Sequence, residues 1–350
     1  MKLWEDKIRR VVPYTPGEQP QKSRMIKLNT NENPYPPSEK VAAVLRKYDA
    51  AKLRLYPDPA VQKLTDALAE YHRVGKDMVF AGVGSDDVLA MAFMAFFSNG
   101  KPILFPDITY SFYTVWADLF GIRCQRPKLN WDFKIQKEDY FPENGGVILP
   151  NPNAPTSVYA PVSEIEDIIR HNSDVIVVID EAYIDFGGES ALGLIPKYEN
   201  LLVVRTYSKS RAMAGMRVGY AVGSPALIKA LNNVKYSFNS YTLSSLAIDA
   251  AAASLEDEEY FQEKITQIKK TRAWTIQQLS GLGFTFPEPA ANFIFARHPV
   301  VGAEKLLTAL RENDIYVRHF DAPRISEYLR ITIGTDEQMQ ELVDVLKTII

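Results

Sequence analysis

From about residue 79 onward the chain alternates two patterns, and that alternation restricts the fold more than any other feature. Short runs of Val, Ile and Leu occur at KPILFP (101–106), GVILP (146–150), DVIVVID (174–180), NLLVVRT (200–206) and RVGYAVG (217–223). Stretches of helical period lie between several of them, such as TYSFYTVWADLFG (109–121) and PVSEIEDIIR (161–170). A strand that is apolar on both faces must be covered on both faces, and helices between successive strands supply the cover. The pattern predicts an α/β domain whose mostly parallel sheet is packed between helices.

The flanks read differently. Proline and polar residues crowd the first 37 positions, as in LNTNENPYPPS, which predicts an irregular arm. Helical periodicity appears at 38–48 and 61–73, and a long helical region runs from about 241 to 279. NFIFARH (292–298), a helix near 302–313, YLRITIGT (328–335) and a closing helix predict a smaller α+β domain. The division expected is an arm at 1–37, a large domain at 38–245 and a small domain at 246–350, with the arm returning to the small domain. A length of 350 residues accommodates two domains.

Composition excludes some functions. With 40 basic and 43 acidic residues the net charge is −3, which gives no electrostatic basis for nucleic acid or an anionic membrane as partner. The longest strongly apolar run, VLAMAFMAFF (88–97), is far short of the roughly 20 residues of a membrane span. The N-terminal MKLWEDKIRR is charged with no apolar stretch behind it, and the single Cys124 allows no internal disulfide. The expectation is a cytoplasmic protein. His72, His171, His298 and His319 are scattered without paired spacing, so no metal site is expected.

In an open parallel sheet, ligands bind beyond the carboxyl ends of the strands. Asp180-Glu181-Ala182-Tyr183 follows one apolar run and Thr206-Tyr207-Ser208-Lys209 another; PNPNAPTS follows a third; Ser85, after MVFAGVG, opens a helix as its expected N-cap. A helix start, Thr206, Ser208 and Arg217 together suit a phosphate. Lys209 can form an imine with an aldehyde. Asp180 at the end of a buried strand needs a cation, which a protonated pyridine nitrogen supplies. Tyr183 can donate to a phenolate oxygen. A phosphorylated pyridine bearing an aldehyde and a hydroxyl is pyridoxal phosphate. Each signal alone has a plain structural explanation: Lys209 as a surface charge, Asp180 as a turn residue, NPNAPTS as a turn. Gly82-Val83-Gly84 lacks the third glycine of a dinucleotide loop.

The order of these blocks, with LNTNENPYPPS, LYPDP (55–59), GVGSDDVL (82–89), PDITYSFY (106–113), VIDEAYIDF (178–186), TYSKSRAMAGMRVGY (206–220) and YLRITIGT (328–335), resembles the fold-type-I pyridoxal-phosphate aminotransferases of the class I/II group, and most closely their histidinol-phosphate aminotransferase branch. The resemblance implies a seven-stranded-type sheet and a homodimer. It implies that Lys209 carries the cofactor and shuttles a proton, that Asp180 pairs with the ring nitrogen, that Tyr183 contacts the ring oxygen and that Tyr110 stacks on the ring. Ser85, Asp86, Thr206, Ser208 and Arg217 hold the phosphate, and Tyr56 reaches the phosphate bound by the partner subunit. Arg330, with Arg318, takes the anionic group of histidinol phosphate or of glutamate/2-oxoglutarate; Asn33 lines the substrate site and Tyr14 closes over it.

Two positions depart from the family's Asn-Pro-Asn-Asn-Pro-Thr-Gly loop. Ala154 stands where the asparagine donor to the ring oxygen is expected, leaving Asn153 or Tyr183 to serve, and Ser157 replaces a glycine. A phospho-amino-acid decarboxylase similar to threonine-phosphate decarboxylase shares these blocks, and an aromatic aminotransferase is a further alternative. A pyridoxal-phosphate-binding transcription regulator would need a DNA-binding domain ahead of the sheet, where this chain has a short arm.

Overall fold

The computed structural model describes residues 4–22 and 24–350. In chain order the strands are β1 (Ile26–Leu28), β2 (Val79–Gly82), β3 (Ile103–Leu104), β4 (Cys124–Gln125), β5 (Val147–Pro150), β6 (Val177–Asp180), β7 (Leu201–Thr206), β8 (Gly219–Gly223), β9 (Phe293–Ala296), β10 (Ile315–His319) and β11 (Leu329–Thr332). The α-helices are α1 (Glu39–Lys47), α2 (Gln62–His72), α3 (Gly84–Phe96), α4 (Phe112–Phe120), α5 (Val162–His171), α6 (Pro225–Phe238), α7 (Ser245–Leu255), α8 (Glu258–Gly281), α9 (Ala303–Glu312) and α10 (Asp336–Ile349).

β2 to β8 form one seven-stranded sheet in the order β2-β8-β7-β6-β5-β3-β4. β7, β6, β5, β3 and β4 run parallel, whereas β8 is antiparallel to both its neighbours. The apolar runs are buried on both faces because alternate residues feed two cores. Val177, Ile179, Leu201 and Val203 face the core under α2, α5 and α7. Val178, Leu202 and Val204 face the core under α3, α4 and α6. The parallel register sets Pro150 beside Asp180 and Asp180 beside Val204, so the ends of β5, β6 and β7 lie side by side at one rim.

The second sheet is four-stranded, in the order β1-β10-β11-β9. Its β1 comes from the arm and pairs in parallel with β10. The long helical region of the sequence divides into α7 and α8 at Glu256-Asp257. Ala247, Ile248, Ala250 and Ala251 of α7 pack into the large sheet's core, whereas Phe261, Ile265 and Ile268 of α8 pack into the small sheet's core. We place the division between the two cores at that turn, some ten residues after 245. The reason is packing: alanine-rich α7 fits closely on α1 and α2, a preference helical period alone does not encode.

Candidate active site

Asp180 ends β6 at 5% exposure. The Tyr113 hydroxyl donates to its Oδ2 at 2.8 Å and the Ala182 N–H to its Oδ1 at 3.1 Å. Among the described residues no cation lies within ion-pair distance of it. Burial pushes its carboxyl up to about 6, with Tyr113 and Ala182 opposing the rise. Glu181, the next residue, makes the contrast. It is equally buried but pairs with Arg205 Nη2 at 2.9 Å and accepts from Ser190 Oγ and Ala191 N at 2.6 Å each. Of two adjacent buried carboxylates, one is paired and the other lacks a cation.

Lys209 projects from the turn after β7. Its Nζ donates to the Thr30 carbonyl at 3.0 Å and lies 5.7 Å from the Tyr183 ring centroid. The Tyr183 hydroxyl accepts from Asn31 Nδ2 at 2.9 Å. Asn31, in the left-handed region at φ 58°, is fixed by Thr332 and by Asn292, which donates to its carbonyl at 3.0 Å. The arm therefore supplies one wall of the site, anchored by the small sheet.

The second corner is the start of α3. The expectation of Ser85 as N-cap is corrected: the cap position is Val83, with no capping side chain, and Ser85 is the second helical residue. Gly84, at φ +81°, turns the chain into the helix ahead of the serine. Gly219 of β8 crosses so closely that an added Cβ would meet Gly84 C and Ser85 N at 2.3 Å. Around this uncapped helix start stand Ser208 and Arg217, whose Nη1 is 3.4 Å from Ser208 Oγ, and Asp86, 3.5 Å from Arg217 Nη2. The Thr206 hydroxyl accepts from Ser208 N–H at 3.1 Å, which shapes the same turn. Tyr110 donates to Asp86 Oδ1 at 2.8 Å. Backbone N–H groups at a helix start with an arginine and a serine beside them suit a phosphate.

The third corner is cationic. Antiparallel pairing of β10 with β11 sets Arg318 directly opposite Arg330. Like charges in that position repel, and among the described residues neither has a carboxylate within ion-pair distance. Arg330 Nη2 donates to the Asn29 carbonyl at 2.9 Å, while its Nε is buried without a partner. Its guanidinium rests between Phe293 and Phe320, 5.3 Å from each ring centroid, and burial pushes its pKa down. Arg318 donates to the carbonyls of Thr15 and Pro16 at 3.3 Å, tying the arm to this corner. Tyr14 consequently stacks on Phe112 at 4.1 Å, with both arginines near enough to oppose the upward push of burial on its phenol.

The loop after β5 completes the enclosure. Ser157 keeps a positive φ of 66°, the glycine-like conformation, and its hydroxyl accepts from Ala291 N–H at 2.9 Å. Asn153 spends its amide N–H groups on the Ile108 carbonyl and Thr156 Oγ1, leaving its Oδ1 buried without a partner. In this arrangement it offers no donor to a ring oxygen. Ala154 packs with Phe293 and Tyr183. On the loop's other side lies a cleft of about 760 Å³, lined by none of Lys209, Asp180 and Arg330.

A buried carboxylate without a cation, an uncapped helix start with an arginine, a lysine and two opposed arginines are thus linked through neighbouring tyrosines, Tyr14, Tyr110, Tyr113 and Tyr183. The residues fit a phosphorylated, protonated pyridine aldehyde. The chain matches the model of aminotransferase class I and II over residues 23–346. It is 52% identical to histidinol-phosphate aminotransferase 2 of Dechloromonas aromatica over 99% of both chains. It is 51% identical to the histidinol-phosphate aminotransferase of Acinetobacter baylyi, covering 100% of this chain and 98% of the relative. The chain belongs to the histidinol-phosphate aminotransferases. Its fold matches the Sinorhizobium meliloti histidinol-phosphate aminotransferase solved with pyridoxal-5'-phosphate, with TM-score 0.84, 22% identity and coverage of 93% and 92%.

Two expected residues lie apart from this gathering. Tyr56 is 83% exposed and leans on Tyr241, at 4.7 Å between ring centroids. Asn33 has both ends of its amide engaged, donating to the Ser210 carbonyl and accepting from Tyr35 N–H, each at 3.0 Å. It fixes the arm against the lysine turn. Sequence reasoning missed Thr30, Asn31 and Tyr113. The first two lie in the quoted LNTNENPYPPS block, yet an arm read as irregular gives no hint of what it touches. Tyr113 lies in the aromatic-rich stretch TYSFYTVWADLFG, where nothing local marks it out.

Proposed function

We propose that this chain transfers the amino group of L-histidinol phosphate to 2-oxoglutarate, giving imidazole-acetol phosphate and L-glutamate, as a pyridoxal-phosphate enzyme of histidine biosynthesis. The observation that carries the substrate reading is the opposed pair Arg318 and Arg330, two cations that, among the described residues, have no carboxylate within ion-pair distance. One such pocket accepts a phosphate monoester and a carboxylate in turn, through planar donor forks suited to either.

When bound, pyridoxal phosphate supplies an aldehyde that captures amines reversibly and a ring that accepts electron density. Asp180 holds the ring-nitrogen proton. Arg217, Ser208, Thr206 and the start of α3, with Ser85 and Asp86, would hold the phosphate; Tyr110 would stack on the ring, and Tyr183 would serve its hydroxyl oxygen in place of the asparagine that Ala154 replaces. Lys209 takes the proton from the substrate's α-carbon and returns it. Tyr14, held by the arm, excludes water from the pocket.

The working unit is a cytoplasmic homodimer. Supporting the dimer, Leu53, Leu55, Tyr56, Tyr236, Phe238 and Tyr241 are large apolar side chains left exposed, with Tyr56 against Tyr241; exposed apolar side chains that gather in a patch mark interfaces. No helix among the described residues is long and apolar enough to cross a membrane. The test is incubation with histidinol phosphate and 2-oxoglutarate. Glutamate formation is expected; release of carbon dioxide from threonine phosphate instead would replace this reading with the decarboxylase.

A further inference from the structure

Tyr113 is fully buried, with its ring among Phe93, Phe105, Tyr110 and Trp116 at centroid distances of 5.7–6.4 Å. A phenylalanine would fill that volume. The hydroxyl needs a polar partner in such surroundings, and the one it has is Asp180 Oδ2 at 2.8 Å. Ala182 N–H holds the other oxygen at 3.1 Å. One donor on each oxygen fixes both the position and the rotation of the carboxyl plane. Three residues earlier, Tyr110 donates to Asp86, so the segment entering α4 and the helix's first turn serve both acids of the site.

We propose that Tyr113 is a positioning residue for transamination: its hydroxyl clamps the Asp180 carboxylate from within the core so that the carboxylate faces the cofactor's ring nitrogen. This rests on the functional reading above. The groups around Asp180 explain why a clamp is needed. Burial above all, and after it Asp86 from α3 and the adjacent Glu181, favour its protonation; the Tyr113 hydroxyl and the Ala182 N–H favour the ionised form. Removing the hydroxyl leaves a buried carboxylate with one donor and two acidic neighbours. A hydrogen bond to an ionised group changes proton affinity by about 10- to 100-fold, one to two pH units.

The experiment compares wild type, Tyr113→Phe, Asp180→Asn and the double variant. The first readout is thermal unfolding of the cofactor-free proteins across pH 4–8, which does not depend on the enzyme reading. Tyr113→Phe should move the Asp180-dependent step in stability upward by one to two pH units, and should move nothing in the Asp180→Asn background. The second readout is pyridoxal phosphate affinity and the pH dependence of its visible absorbance. In Tyr113→Phe the affinity should fall about tenfold, with kcat reduced and KM for histidinol phosphate within about twofold, because the arginine pocket is untouched. An unmoved stability step, or an equal effect of Tyr113→Phe with and without Asp180, overturns the proposal. A moved step with unchanged cofactor affinity and spectrum also overturns it, reducing Tyr113 to a structural donor. Failure of the wild type itself to bind pyridoxal phosphate would instead sink the functional reading, and the proposal with it.

Discussion

Asp180→Asn should stabilise the cofactor-free protein and impair it as an enzyme. In the folded chain the Asp180 carboxyl sits near 6 against an ordinary 3.8, because burial disfavours the charge. Below pH 4 both folded and unfolded forms are protonated, and the group has no effect. Between about 4 and 6 the unfolded chain releases the proton and the folded chain keeps it, so stability falls as pH rises. Above 6 the loss is complete, at roughly 2 units or about 3 kcal/mol. Asparagine has no charge to bury but one oxygen fewer, which returns about 1 kcal/mol through the donor it leaves unmatched. The net gain at pH 7.5 is about 2 kcal/mol, or roughly 3 °C in Tm for a chain this long. The assay is thermal unfolding of both proteins without cofactor from pH 4 to 8, read as the difference between them so that Glu181 and other carboxyls cancel. Adding pyridoxal phosphate should reverse the ranking, because a ring-nitrogen proton offsets the charge in the wild type alone. A difference curve that is flat across pH 4–7, or a variant less stable than wild type at pH 7.5 without cofactor, would refute the reasoning.

Other substitutions probe the remaining corners. Borohydride reduction of the holoenzyme should abolish its visible band and label Lys209; mapping the modified peptide checks this, and Lys209→Ala should take no label. Arg330→Met removes one of two opposed cations, and kcat/KM for both histidinol phosphate and glutamate should fall by about 10²–10³, the worth of a buried charged contact. Gly219→Ala puts a methyl where Gly84 and Ser85 backbone atoms already stand; displacement of the α3 start should weaken pyridoxal phosphate binding at least tenfold in an equilibrium titration. Ser157→Gly relieves a left-handed serine but gives up its bond to Ala291, so denaturant unfolding should show a change within about 1 kcal/mol.

Much of the site was legible as order along the chain. Strand ends in a parallel sheet converge whatever their sequence separation, so Asp180, the Lys209 turn and the PNPNAPTS loop had to meet once the apolar runs were read as strands. Ser157 was legible as a question, since the residue it replaces in the family loop is glycine; the answer, a retained positive φ bonded to Ala291, came only from the fold. Asn33 was expected at the substrate site, yet its amide is engaged by Ser210 and Tyr35, because an arm residue's neighbours depend on where the arm lies. The reversal of β8 escaped for a similar reason: a fully buried strand is apolar in either direction.

Local chemistry and periodicity alone determined which residues could be strands, which turns could carry an acid or a lysine, and that the chain needed a sheet covered on both sides. These are properties of neighbours in sequence, and side-chain pattern encodes them directly. Tertiary structure decided which groups lack a partner. Glu181 and Asp180 are adjacent in the chain and equally buried, but only the first finds an arginine; Arg318 and Arg330 stand opposite each other only through the register of two strands. An unbalanced charge is defined by everything around it, and that surrounding is assembled from residues as distant as Thr30 and Thr332.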